Sequence, residues 1–386
     1  IHVVEWAAFI NTFIRKKNFE AIILGWGLGM DPDVTFFVPD RVLSHVRAGN
    51  AGRRATRKAW EARLSLHPRR LDWELWHRAP DPDEVDWPSF EPGRKIATRN
   101  SSHEVIQAIA ARFGNMLGGS ADLAGSNGSD IDGGGVVKKG DFTGRNIRFG
   151  VREHVMAALC NGRALHVGVL PFCSTFLVFH DYMRPSVRLS ALMNLPVTYV
   201  YTHDSIYLGE DGPTHQPIEQ LWSMRAIPNL WVMRPADATE TSEAWRIALT
   251  RRDGPTALCL SRQGLPTFDR DLLAPASSAR RGGYVLEEAR AGTPLVVLVA
   301  SGSEVHLALE ARRALENEGI STRVVSMICC ELFDEQDAAY RSEVLPVGVP
   351  RVSVEAGITQ GWHRYVGDLG ESVGIDRFGA SAPAAV

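Results

Sequence analysis

The sequence predicts an α/β protein of two parallel-sheet, helix-covered domains, and three observations carry that prediction. Short β-branched runs recur from about residue 95 onward: NIRFG, PVTYVYTHDS, LWVMRP and TALCLSR, each bounded by Gly, Pro or polar residues. Helical stretches separate them, starting near Ser101, Glu153 and Thr239, and strands that alternate with helices imply crossover connections and a parallel sheet. The same alternation resumes after a loop rich in Pro, Ala, Ser and Arg at 275–281, where PLVVLVASG, TRVVSMICC and RVSVEAG frame a compact βαβαβ module.

Composition narrows the function classes. A chain of 386 residues, 45% hydrophobic and 23% charged, is long enough for two or three well-buried domains. A formal net charge of -3 argues against nucleic acid or an anionic membrane as a partner held by bulk charge. The five cysteines, none in a CxxC pair, fit buried thiols in a reducing compartment and point to the cytoplasm. No apolar run reaches membrane-spanning length, and the opening residues lack the pattern of a signal peptide. Ile1 in place of Met suggests a chain that begins inside a longer reading frame.

Along the chain, residues 1–33 read as an amphipathic helix through Phe13, a strand at Ala21 to Leu24 and a Gly/Pro turn. With a strand ending in GW before a DPD turn, this piece resembles a fragment of an ABC-transporter peptide-binding protein. It is too short to bury a core, so it is taken as a foreign N-terminal segment. Residues 34–93 read as a linker whose Trp60, Trp73, Trp76 and Trp87 are expected to lie on a neighbouring domain. The first domain is expected over 94–270. The second, over 282–386, has a helix announced by a capping box at Ser301 to Glu304, with Leu307, Ala308, Ala311, Ala314 and Leu315 as its apolar stripe. A further helix is expected through Glu335 to Val344, after which the module is expected to end early.

The densest chemistry lies in YTHDSIYLGEDGPTHQPIEQ, residues 201–220. It follows a β-branched strand, so His203, Asp204, Glu210, Asp211 and His215 belong at the carboxyl end of a strand, where parallel sheets bind ligands. Two histidines among carboxylates could be metal ligands, but their spacing fits no familiar zinc or iron pattern. So many titratable groups in a loop with two glycines and two prolines point to a site more than to a solvated turn. Glu153 in FGVREH sits where a carboxylate merely complements a helix dipole. Phe176, Phe179 and Tyr182, three apart on what reads as a helix, share one face and by spacing alone are core.

Taken jointly, THDSIYLGEDGPTHQPIEQ, FGVREHVMAAL, GGSADLAGSN, STFLVFHDYMRPSVRLSAL and SRQGLP resemble transketolase from about residue 34 to the end. The resemblance implies a thiamine-diphosphate pyrimidine-binding fold followed by a transketolase C-terminal-like domain, and transfer of a two-carbon ketol unit between sugar phosphates. It assigns Glu153 to the pyrimidine ring nitrogen, where a shared proton activates the cofactor. It makes Phe176, Phe179 and Tyr182 the wall on which the aminopyrimidine stacks, and puts Asp122 near the cofactor. Arg99, Ser126, His203 and Arg262 become the substrate-phosphate site, since a guanidinium can grip two phosphate oxygens. Asp211 meets a sugar hydroxyl, and His215 meets the donor's carbonyl end, where a histidine also suits proton transfer. Tyr207 stands where the family has glycine.

The family's GDG-centred motif, which holds a divalent metal (Mg2+ or Ca2+) and through it the cofactor diphosphate, has no counterpart upstream of the pyrimidine-binding motifs. A homo-oligomer or a separate diphosphate-binding subunit is therefore the expected partner, besides a ketose donor and an aldose acceptor. The alternative reading is a non-catalytic dimerising fragment or pseudoenzyme.

Overall fold

The computed structural model describes residues 40–382. The helix and strand expected within 1–33 lie outside the described residues. The chain divides into two compact units, 1–74 and 75–386. In the first, α1 (Asp40–Ser65) is a single 26-residue helix, in keeping with its run of Ala and Arg. Arg57 and Glu61 pair one turn apart at 2.8 Å, and Trp60 meets Trp73 edge to face at 5.7 Å. These two indoles of the expected linker thus pack on each other. A helix α2 (Arg70–His77) follows.

The second unit begins with β1 (Lys95–Ala97) and α3 (Thr98–Arg112). There follow β2 (Met116–Ser120), the single turn α4 (Ala124–Asn127), β3 (Asn146–Arg148), α5 (Glu153–His166) and β4 (Leu170–Phe176). The chain continues through α6 (His180–Leu192), β5 (Thr198–Thr202), α7 (Gln220–Arg225), β6 (Trp231–Met233), α8 (Ala238–Thr250) and β7 (Thr256–Leu260). β2 to β7 make one six-stranded sheet, ordered β3-β2-β4-β5-β7-β6 and parallel throughout. Such a sheet is buried on both sides, and its strands show why: in β7, Leu258 and Leu260 enter one core, while Ala257 and Cys259 enter the other. β8 (Gly264–Pro266) returns antiparallel to β1.

The C-terminal module holds β9 (Tyr284–Glu287), β10 (Val296–Ala300), α9 (Glu304–Asn317), β11 (Thr322–Ser326), α10 (Cys330–Asp334), α11 (Ala338–Val344), β12 (Arg351–Val354), α12 (His363–Val366) and β13 (Glu371–Val373). Its sheet runs β13-β12-β10-β11-β9, with β9 alone antiparallel. The expected βαβαβ core is present, flanked by one further strand on each side. Leu298, Ala300 and Val305 share a core with Ile106, Val200 and Trp245, so the two sheets are welded by one apolar layer.

Three local expectations change. The capping box does not form: the helix starts at Glu304 with Ser303 as an N-cap that makes no side-chain cap, while Ser301 Oγ donates to Glu355 and Glu304 pairs with Arg234. The buried face of α9 is Val305, Ala308, Leu309 and Arg312, with Leu307, Ala311 and Ala314 exposed, so the stripe lies rotated from the one the alanines suggested. The helix expected through Glu335 to Val344 ends where expected but starts only at Ala338, because Asp337 caps it by accepting from Tyr340 N–H at 2.8 Å; the separate short α10 precedes it.

Candidate active site

Five neighbouring parallel strands deliver the candidate site residues from their carboxyl ends, the ligand-binding edge of such sheets. Asp122 follows β2, Glu153 follows β3, Phe176 ends β4, His203 follows β5 and Arg262 follows β7. Arg99 comes from the first turn of α3, and the structure shows how it reaches them. Thr98 N–H donates to Ser261 Oγ at 3.1 Å, and Ser261 N–H donates to Thr98 Oγ1 at 2.7 Å. This buried latch sets Arg99 beside Arg262.

The first group lines a cleft of about 510 Å³ that contains Ala121, Asp122, Leu123, Val151, Glu153, Phe179, Tyr182 and His215. Glu153 is the first residue of α5 and only 8% exposed, and its carboxyl group makes no hydrogen bond or ion pair among the described residues. Its side chain lines the cleft, so the carboxyl group is open to whatever binds there. Beside it, Phe176 and Phe179 stack at 5.8 Å with ring planes 6° apart, and Tyr182 continues the row at 5.9 Å from Phe179. These three do not share one helix, as their spacing suggested. Phe176 ends a strand, Phe179 lies in a 3-10 turn and Tyr182 is in α6; the bend between the elements aligns the rings. His215 sets its edge against the Phe179 ring at 5.4 Å.

The second group is cationic. Arg99 Nη1 donates to the backbone carbonyl of Ser126 at 2.5 Å, and Ser126 itself is exposed on α4. Burial, with Arg262 nearby, lowers the Arg99 pKa and marks an uncompensated pair of guanidinium groups. His203 stacks on Phe176 at 3.7 Å and joins the two groups. Its backbone is left-handed, with φ of 58°, which is rare outside glycine and asparagine. Thr202 Oγ1 donates to Asn127 Oδ1 at 2.7 Å, so its lone pair accepts from His203 Nδ1–H at 2.8 Å. That leaves Nε2 as the ring's free lone pair. Burial first, then Arg99, Arg262 and His215, push the His203 pKa down to about 3, so at neutral pH it is an uncharged ring between two cations. Asp211 is exposed on the 209–216 loop and bonds to neither group among the described residues. Tyr207 is half-buried in a 3-10 turn over Ile206–Leu208.

Behind His203 lies an ionic layer that the sequence did not disclose. Arg234 is fully buried; its Nε donates to Asp204 Oδ2 at 2.9 Å, and its Nη1 donates to Glu304 and to Ser301 O, the latter at 2.9 Å. Arg225 grips Glu355 with two bonds of 2.8 Å. Burial alone would raise the Glu355 carboxyl, but Arg225 opposes it and the group stays at about 2. No spacing rule links residues 204, 234 and 304; only the contact of the two domains brings them together.

Comparison with known proteins decides the family. Residues 94–267 match the model for the transketolase pyrimidine binding domain, and residues 282–386 match the transketolase-like TK C-terminal domain. The chain belongs to the transketolase family. It is 49% identical over 357 residues to transketolase of Geobacillus stearothermophilus, covering 90% of this chain and 53% of that protein. The chain thus spans about half the length of the curated relatives it matches. Among solved structures it resembles Pichia stipitis transketolase in complex with sedoheptulose-7-phosphate, with a TM-score of 0.84 and 38% identity over 91% of this chain and 53% of that one. It also resembles a split-gene transketolase described as an inactive beta4 tetramer, with a TM-score of 0.58 and 26% identity over 74% of this chain and 91% of that one.

Proposed function

We propose that this chain is the pyrimidine-binding and C-terminal half of a transketolase that moves a two-carbon ketol unit from a ketose phosphate to an aldose phosphate with thiamine diphosphate. The observation that carries the reading is Glu153, a largely buried residue whose carboxyl group opens on the cleft and has no partner among the described residues, set beside a row of flat aromatic rings. An aminopyrimidine ring satisfies both: its faces suit the Phe179 and Tyr182 row, and its ring nitrogen suits the carboxyl. When bound, the cofactor supplies a carbon nucleophile and electron sink. Glu153 holds the proton that this activation needs. His215, on the Phe179 ring, is placed to move a proton at the sugar's carbonyl end. Arg99, Arg262 and the Ser126 turn grip the phosphate, with His203 between them, and Asp211 on the exposed side of the loop meets a sugar hydroxyl.

The diphosphate end is different. We assign the Mg2+ or Ca2+ site and the diphosphate to the part of the transketolase length that these residues do not span. No helix among the described residues is long and apolar enough to cross a membrane. The five buried, unpaired cysteines suit a reducing compartment, and we place the chain in the cytoplasm.

The test is complementation. Mixed with the remainder of the Geobacillus stearothermophilus protein, the chain should convert fructose 6-phosphate and an aldose phosphate, and Glu153→Gln should lower the rate by about a hundredfold or more, the usual contribution of a positioned proton donor. A mixture that assembles but transfers nothing would refute the reading. The likeness to an inactive split-gene tetramer favours a second reading, a self-associating chain without catalysis. Exposed Val155, Leu159, Leu189 and Leu192 on α5 and α6 offer it an apolar surface. A stable homotetramer that refuses the added half would support it.

A further inference from the structure

The loop that carries Asp211 and His215 is held from outside by a residue with no assigned role. Gln216 is only 5% exposed. Its Nε2 donates to Gly209 O at 3.1 Å and to Ala380 O at 3.1 Å, and lies 3.4 Å from Ile206 O. One amide therefore ties both ends of the 206–216 loop to the segment 376–382, which is far away in sequence. A second tie runs from Ser381 Oγ to Glu210 O at 2.6 Å. The segment is itself fixed to the C-terminal module. Thr359 N–H and Oγ1 each donate to Asp376 at 2.8 Å, and Ile375 N–H donates to Gly357 O at 2.8 Å. The approach is close enough that a Cβ on Gly379 would fall 1.7 Å from Gln216 Oε1, and one on Gly212 would fall 3.1 Å from Ser381 Cβ.

Within itself the loop is a set of tight turns. Gly212 N–H bonds Gly209 O at 3.1 Å, and His215 N–H and Gln216 N–H bond Gly212 O at 3.0 and 3.1 Å. Such turns fix the loop's local shape but not its place on the sheet edge. Exposed Asp211 makes no bond among the described residues, so its position depends on the ties at Gln216 and Glu210. Behind the same loop, Arg234 clamps Asp204 to Glu304 of the C-terminal module.

We propose that Gln216 is a positioning residue through which the C-terminal segment 376–382 holds Asp211 and His215 in register for the sugar part of the substrate. This deepens the proposed function and rests on it for the identity of the ligand. The phosphate group is held by Arg99 and Arg262, and neither tie of the segment runs to them. Losing the tie should therefore weaken binding of a sugar phosphate and spare inorganic phosphate, a split that general loss of structure does not produce.

The experiment titrates the full chain with fructose 6-phosphate and with inorganic phosphate, comparing wild type with Gln216→Glu, which puts a carboxylate among three carbonyls, and with Gly379→Val, which pushes the segment off. Both variants should bind fructose 6-phosphate about tenfold more weakly and inorganic phosphate within about twofold of wild type. Unchanged fructose 6-phosphate binding in both folded variants, or equal loss of both ligands, would overturn the proposal. If wild type binds neither ligand, the functional reading fails, and amide exchange then decides the positioning claim. Exchange across 206–216 about tenfold faster in both variants, with β5 unaltered, sustains it, and unaltered loop exchange overturns it.

Discussion

Lowering the pH from 7 to 5 should remove about 2 kcal/mol of stability through His203 and a similar amount through His180. Each ring sits at about 3 in the folded protein, against about 6.5 in an unfolded chain. Burial is the main cause for both; Arg99, Arg262 and His215 add to it at His203, and Arg184 adds to it at His180. His180 bonds Tyr201 through Nδ1 at 2.8 Å, and its Nε2 is buried without a partner among the described residues. A folded-state pKa below the unfolded one means that the unfolded chain binds the extra proton first. The contribution is complete above about 6.5 and is lost as pH falls toward 3, at about 1.4 kcal/mol per unit. The assay is urea unfolding at pH 7 and pH 5 for wild type, His203→Asn and His180→Gln. Asparagine is chosen because it tolerates the left-handed backbone at 203. Buried carboxyl groups with raised pKa values, such as Glu331 and Asp204, titrate in all three proteins and cancel in the comparison. Each variant should lose about 2 kcal/mol less than wild type on acidification. Equal pH dependence in the three would refute the placement of both rings.

Other consequences follow from single contacts. Arg225→Met strands the Glu355 carboxylate in the core and should cost about 3–5 kcal/mol; adding Glu355→Gln should recover much of it in the same unfolding assay. Gly118→Val puts a Cβ about where the Phe172 ring lies, 2.3 Å from its carbons, and should destabilise by about 1–3 kcal/mol, with Phe172→Leu as partial rescue. Arg99→Met should weaken inorganic phosphate binding roughly tenfold to a hundredfold, the range for a charge-assisted bond. It should also raise the His203 pKa in a histidine NMR titration, because a like charge is gone.

The parallel sheet was legible because its strands are short, β-branched and separated by helices, a pattern set by local geometry. The candidate cleft came from the motif resemblance and not from spacing, which made Phe176, Phe179 and Tyr182 core on one helix; they are a strand end, a turn and a helix. What escaped was long-range. The Thr98–Ser261 latch, the Arg234 clamp between Asp204 and Glu304, and the hold of Gln216 on residue 380 each join positions that are far apart in sequence and meet only once the chain has packed. The misplaced stripe on α9 has the same origin. Arg312 and Glu304 are buried there because they have partners, Thr322 O and Arg234, while Ala311 and Ala314 face outward.

On the proposed function, this chain supplies the pyrimidine side of a shared cofactor site. Calorimetric titration with thiamine diphosphate and Mg2+ tests it, using the chain alone, the chain with the added diphosphate-binding half, and the same mixture carrying Glu153→Gln. Heat of binding is expected in the wild-type mixture, little in the chain alone and a marked loss with Glu153→Gln. Tight binding to the chain alone, or binding in the mixture that ignores Glu153, would contradict it.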